Sequence, residues 1–129
     1  MLLGTAVVSG GMLIWPLLNR VSAGGIAQVS ALEAVQLMNR RDAAVLDVRE
    51  SGDFSAGHIP NARNIPMGEF DKRLREVEKL KSRPVIVSGP SAAHTSRAGG
   101  ALKKAGFAEV VALRGGLNAW VEASLPVEK

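Results

Sequence analysis

Three short apolar runs most constrain what this chain can become. Residues 43–48 (AAVLDV), 84–88 (PVIVS) and 109–113 (EVVAL) lack the polar alternation of a strand with one wet face. Such runs fit strands buried on both sides. Helical patterns lie between them. Met67, Phe70, Leu74, Val77 and Leu80 recur every three or four positions within a charged stretch, which predicts an amphipathic helix. Ala98, Ala101, Leu102 and Ala105 repeat the pattern ahead of Gly106, a good helix stop. Upstream, Ser30-Ala31-Leu32-Glu33 has the form of a capping box, and Leu32, Val35, Leu37 and Met38 supply an apolar stripe, so a helix is predicted over 31–40. Strands alternating with helices over short connections imply an α/β domain whose parallel sheet is covered on both faces.

The N-terminus follows a different rule. Residues 1–18 (MLLGTAVVSGGMLIWPLL) carry no charge and reach the lower limit for crossing a hydrocarbon core of about 30 Å, so they are predicted to form one transmembrane anchor. Three glycines and Pro16 weaken the helix, but lipid-spanning helices tolerate such residues, and Trp15 suits the interfacial belt. The rival is a cleaved signal peptide cut at Val21-Ser22-Ala23. It is disfavoured because no Lys or Arg precedes the apolar run and Arg20 stands between that run and the cut. Arg20, Arg40 and Arg41 all lie on the C-terminal side, which predicts a single-pass protein with its soluble domain in the cytoplasm. Residues 19–29 read as a short flexible linker, and residues 30–129 as one domain.

Charge and cysteine content narrow the function. The net charge of +4 is modest, and three Phe and two Trp are too few aromatics to accompany a stacking surface, so no nucleic-acid partner is expected. The chain has no cysteine, hence no disulfide, no thiolate metal site and no thiol nucleophile. His58 and His94 are the only histidines, and two without acids at ligand spacing do not make a metal site. No metal or other cofactor is expected.

In open parallel sheets the ligand site lies beyond the carboxyl ends of the strands. The segment after PVIVS occupies that place: Gly89, Pro90, Ser91, Ala92, Ala93, His94, Thr95 and Ser96, running into a helix predicted over 97–105. Its amides over 90–96, the hydroxyls of Ser91, Thr95 and Ser96, and His94 as a conditional cation are expected to form an anion-binding concavity. A hydrolase triad of Ser91, His94 and Asp47 or Asp53 has the right residue types but no G-x-S-x-G elbow to support it. Asp47 is read as ending a strand and organising the next loop by hydrogen bonds, with Arg49 either paired to a neighbouring acid or solvated. Gly115 and Gly116 read as a strand-to-helix turn that frees Trp120 to pack.

Four stretches in order resemble the rhodanese homology domain: LDVRESGDFSAGHIPNARNIP from Leu46, PVIVS from Pro84, the small-residue segment leading to LKKAGF from Leu102, and LRGGLNAW from Leu113. The resemblance implies a rhodanese-like three-layer α/β/α domain with a central parallel sheet. Its pairing with one apolar N-terminus resembles small, single-domain, membrane-anchored rhodanese-like proteins of bacteria. Active members hold sulfane sulfur on a Cys at the start of the loop after the PVIVS block. Counting back without gaps from LKKAGF, Gly89 stands at that position, and the family's Gly, Arg and Ser/Thr positions fall on Ala92, His94 and Thr95. His58, in GHIP, is then a structural turn residue. Serine cannot replace the thiolate, because its hydroxyl ionises far above neutral pH. The expectation is a catalytically inactive binding or regulatory module for a protein partner or a small anion. The alternative is a Cys-independent enzyme acting on an anionic substrate in the same segment, or a residual role in sulfur metabolism.

Overall fold

The structure, a computed structural model, describes residues 26–129. Strands β1 (Ala27–Val29), β2 (Ala44–Asp47), β3 (Arg63–Asn64), β4 (Val85–Ser88) and β5 (Val110–Leu113) form one parallel sheet in the order β1-β5-β4-β2-β3. Helices α1 (Ala31–Arg41), α2 (Ser51–Ala56), α3 (Phe70–Arg73), α4 (Ala92–Lys104) and α5 (Gly116–Glu122) connect or follow them.

Alternation along buried strands sends side chains to two cores. Val45, Ile86, Val111 and Leu113 pack with Ala34 and Leu37 of α1 and Trp120 of α5. Leu46, Val85, Val87 and Val110 pack on the other face with Phe70, Val77, Leu80, Ala98 and Leu102. The three-layer arrangement follows, because a strand apolar on both sides can be dried only by cover on both sides. The capping box at α1 forms as predicted. Ser30 Oγ accepts from Glu33 N at 3.1 Å, and Ser30 N donates to Glu33 Oε1 at 2.8 Å.

Three expectations are corrected. First, residues 26–29 are not linker. Ile26 is buried, and β1 pairs with β5 from Ala27 opposite Val111 to Val29 opposite Leu113, covering an edge that would otherwise carry unpaired backbone groups. Second, the helix predicted from Met67 to Leu80 is a 3-10 turn (Met67–Glu69), the short α3 and a second 3-10 segment (Leu74–Leu80). Leu74, Val77 and Leu80 are spaced by three, which suits three residues per turn, and the one spacing of four, from Phe70 to Leu74, falls where the α turn sits. Arg73 joins the two pieces by bonding Glu69 at 3.1 Å and Glu76 at 2.9 Å, and its hydrogen bond holds the Glu76 carboxyl below the ordinary carboxylate range. Third, α4 begins at Ala92 rather than residue 97. Ser91 is its N-cap, and the alanines that follow are strong helix formers.

The predicted anchor (residues 1–18) and most of the linker lie outside the described residues. Among the described residues no helix is long and apolar enough to cross a membrane.

Two adjacent glycines of α4 make the packing testable. A Cβ on Gly99 would stand 2.8 Å from Ile26 Cγ1, whereas one on Gly100 would meet nothing within 4 Å. Gly100→Ala should stabilise the domain by about 0.5–1 kcal/mol through chain entropy and helix propensity. Gly99→Ala should lose stability on net, because overpacking of about 1–3 kcal/mol outweighs the same gain. Thermal or urea unfolding of the two variants checks the opposite signs, and a stabilised Gly99→Ala would show that Ile26 does not seat against α4.

Candidate functional site

The C-terminal end of β4 delivers the chain into a loop of only three residues, 89–91, before Ser91 caps α4. Ser91 Oγ accepts from His94 N at 3.3 Å and lies 2.7 Å from His94 Nδ1. Among the described residues Ser91 is the one hydrogen-bond partner of the His94 ring. Among the described residues no carboxylate bonds the imidazole: Asp47 is committed to Arg49, and Asp53 is exposed on α2. The triad reading is therefore corrected to a Ser–His pair that closes a helix end.

The predicted cradle contracts in the same way. Pro90 has no N–H to offer. His94 N and Thr95 N are taken by Ser91 Oγ and Ser91 O, and the Thr95 hydroxyl donates to Ala92 O at 3.1 Å. What remains at the helix mouth are the amides of Ser91, Ala92 and Ala93, where the helix dipole favours negative charge.

Ser91 and Ala92 border a cavity of about 100 Å³, well below the 300–1,000 Å³ of pockets for drug-sized ligands. Gly89, Pro90, Ser91, Ala92 and Thr95 line it, while Ala93, His94 and Ser96 do not. Its other wall is Gln28, Leu113, Gly115 and Gly116. Sequence reasoning missed Gln28, hidden in the segment read as linker, and gave the two glycines only a turning role. That role holds, since both have positive φ, at 78° and 57°. Gly116 does more, because a Cβ there would stand 2.8 Å from Gly89 O, so only glycine allows the two loops to close on each other. Beside them Ser88 Oγ is fully buried with no hydrogen-bond partner among the described residues.

Gly89, where the resemblance places a nucleophile, is packed shut. A Cβ at this position would lie 2.8 Å from Val48 Cγ2 and 3.2 Å from Thr95 Cγ2. Val48 is held there by its neighbours. The buried Asp47 carboxylate accepts from Arg49 N at 2.9 Å, and from the guanidinium at 3.0 Å and 2.8 Å. Arg49 Nη2 also donates to Gly57 O, and Asn64 Nδ2 bonds both Asp47 O and Arg49 O. This is the loop-organising role predicted for Asp47, and of the two states left open for Arg49 the structure shows the paired one. His58 is likewise structural: it stacks on Phe54 with centroids 3.7 Å apart, places Nδ1 2.7 Å from Phe54 O, and exchanges two backbone bonds with Glu128.

Comparison with known proteins agrees with the fold. The rhodanese-like domain profile matches residues 30–123. YibN of Escherichia coli strain K12 is 40% identical over 96 residues, which are 74% of this chain and 67% of that protein. The thiosulfate sulfurtransferase GlpE of Coxiella burnetii is 32% identical over 93 residues, 72% of this chain and 85% of its own. Among solved structures, the rhodanese-like domain of an Anabaena protein superimposes with a TM-score of 0.66 at 34% identity, covering 78% of this chain and 77% of that one.

The closed position is open to test. Gly89→Cys should cost about 1–3 kcal/mol by overpacking. Val48→Ala should be less damaging in the Gly89→Cys background than in the parent, and a double-mutant cycle in urea reads that coupling. Additive losses would mean that Val48 does not occupy the space.

Proposed function

This chain belongs to the rhodanese-like domain family, and on that footing we propose that it is a member without sulfur-transfer chemistry. It acts as a binding or regulatory module, tethered to a membrane by residues 1–18, that takes a small anion or a protein partner at the mouth of α4. The observation that carries this reading is a double one at a single position. The chain has no cysteine, and the methyl groups of Val48 and Thr95 fill the space that a side chain at Gly89 would need. Persulfide chemistry needs a thiolate with room to turn over, and this site offers neither. The uncommitted amides of Ser91 and Ala92 at the cavity and the buried Ser88 hydroxyl beside it support retention of an anion there. A volume of about 100 Å³ limits that anion to one such as sulfate, sulfite or thiosulfate, which would keep the module connected to sulfur metabolism. The cytoplasmic placement of the domain rests on Arg20, Arg40 and Arg41.

The 2.7 Å contact between Ser91 Oγ and His94 Nδ1 favours a second reading, a Cys-independent enzyme that uses Ser91 as nucleophile on an anionic substrate. It ranks below the first because capping α4 already accounts for the contact, and no acid orients the ring.

Two measurements on the full chain in detergent decide between these. With thiosulfate and cyanide, thiocyanate formation should stay at the level without protein, and turnover proportional to protein would overturn the inactive reading. Titration with sulfite, sulfate and thiosulfate should give saturable amide shifts at residues 89, 91, 92, 115 and 116. Flat titrations would remove the anion and leave the protein partner.

A further inference from the structure

A second cavity lies at the opposite end of the sheet, where the chain enters β2, β3 and β4. It measures about 490 Å³, within the range of small-ligand pockets, and its wall carries Asn39 and Asp42 from the end of α1, Asn61 and Arg63 at β3, and Arg83 ahead of β4. Arg83 is anchored from behind: its Nε donates to Asp42 O at 2.7 Å and stands 3.4 Å from Asp42 Oδ2. Because Nε is tied to a main-chain carbonyl, the guanidinium has a fixed direction and presents its two Nη groups. These Nη groups, the whole Arg63 guanidinium and the carboxamides of Asn39 and Asn61 have no hydrogen-bond or ion-pair partner among the described residues.

The rims are fixed as well. Asp42 and Asn61 both adopt left-handed backbone, at φ 56° and 67°, a conformation that Asp and Asn tolerate better than other side-chain-bearing residues. Arg63 is held by the pairing of β3 with Leu46. The cavity thus brings together two cations, two neutral amide groups and one carboxylate, and that carboxylate is 84% exposed, so water screens much of its hold on Arg83. An excess of one positive charge and several unspent donors remain on a concave surface.

We propose that this cavity is a second binding site, independent of the one at α4, for a small ligand bearing a carboxylate or phosphate group. Guanidinium forks match the planar edge of such oxyanions with paired hydrogen bonds, which a lysine could not offer. Arg63 and the Nη groups of Arg83 grip the oxyanion, Asn39 and Asn61 bond its remaining oxygens or the body of the ligand, and Asp42 opposes binding.

The test uses the full chain in neutral detergent, with inorganic phosphate and succinate as separate probes at constant ionic strength and amide shifts as the readout. Saturable shifts at residues 39, 42, 61 and 63 are expected with at least one probe, and the ratio of the two affinities identifies the source of the oxyanion. Arg63→Gln, at an exposed position, should weaken binding about tenfold or more. Asp42→Asn keeps a residue suited to left-handed backbone and removes the opposing charge, so it should tighten binding about threefold or more. Unsaturable shifts, saturable shifts confined to residues 89–92, an unchanged affinity in Arg63→Gln, or weaker binding in Asp42→Asn would each overturn the proposal.

Discussion

Every residue of β4, from Val85 to Ser88, is buried, and the strand lies between β5 and β2 at the centre of a parallel sheet. No single layer of helices could dry it. Val85 and Val87 need cover on one face and Ile86 on the other, each side chain contributing about 1.5–3 kcal/mol when fully removed from water. Helices on both faces, parallel crossovers and short loops at the strand ends follow from that requirement. So does the position of the cavity at 89–91, which is where the central strand releases the chain.

The polar frame beside β4 decides what that cavity can do. Asp47 is almost fully buried, and a buried carboxylate persists only when paired and hydrogen-bonded. Arg49 supplies both, and the pair, braced by Asn64 and the Gly57 carbonyl, brackets Val48 in sequence. The methyl group that blocks position 89 is therefore placed between two residues of a buried, multiply hydrogen-bonded polar cluster. The fit at this position extends beyond one residue, because Val48 and Thr95 both pack where a side chain at Gly89 would stand. The turn at Gly115 and Gly116 presses on the same point from β5.

The two cavities differ in construction. The one at α4 is small and built from backbone amides and a helix end, as suits a compact anion. The other is several times larger and built from arginine and asparagine side chains gathered at the ends of separate elements. Occupation of either would leave the Asp47–Arg49 frame untouched, since none of its hydrogen bonds involves a residue proposed to hold ligand.

The sequence by itself determined the architecture. Apolar runs without polar alternation, a capping box at Ser30 and the absence of cysteine are local or compositional facts, and they suffice to specify a doubly covered parallel sheet and to remove thiol chemistry. The role of Asp47 was legible for the same reason, since its side-chain contacts lie within two positions along the chain, whereas His58 was legible only through the family resemblance. Tertiary structure decided the rest. Residues 27–29 became a strand only because β5 offered an open edge, the segment at 74–80 tightened to 3-10 turns to keep three apolar side chains in register with the core, and Ala92–Ser96 joined a helix once Ser91 capped it. The filled space at Gly89 and the gathering of Arg63 and Arg83 were invisible beforehand, because both depend on distances between residues far apart in sequence, and no spacing along a chain encodes those.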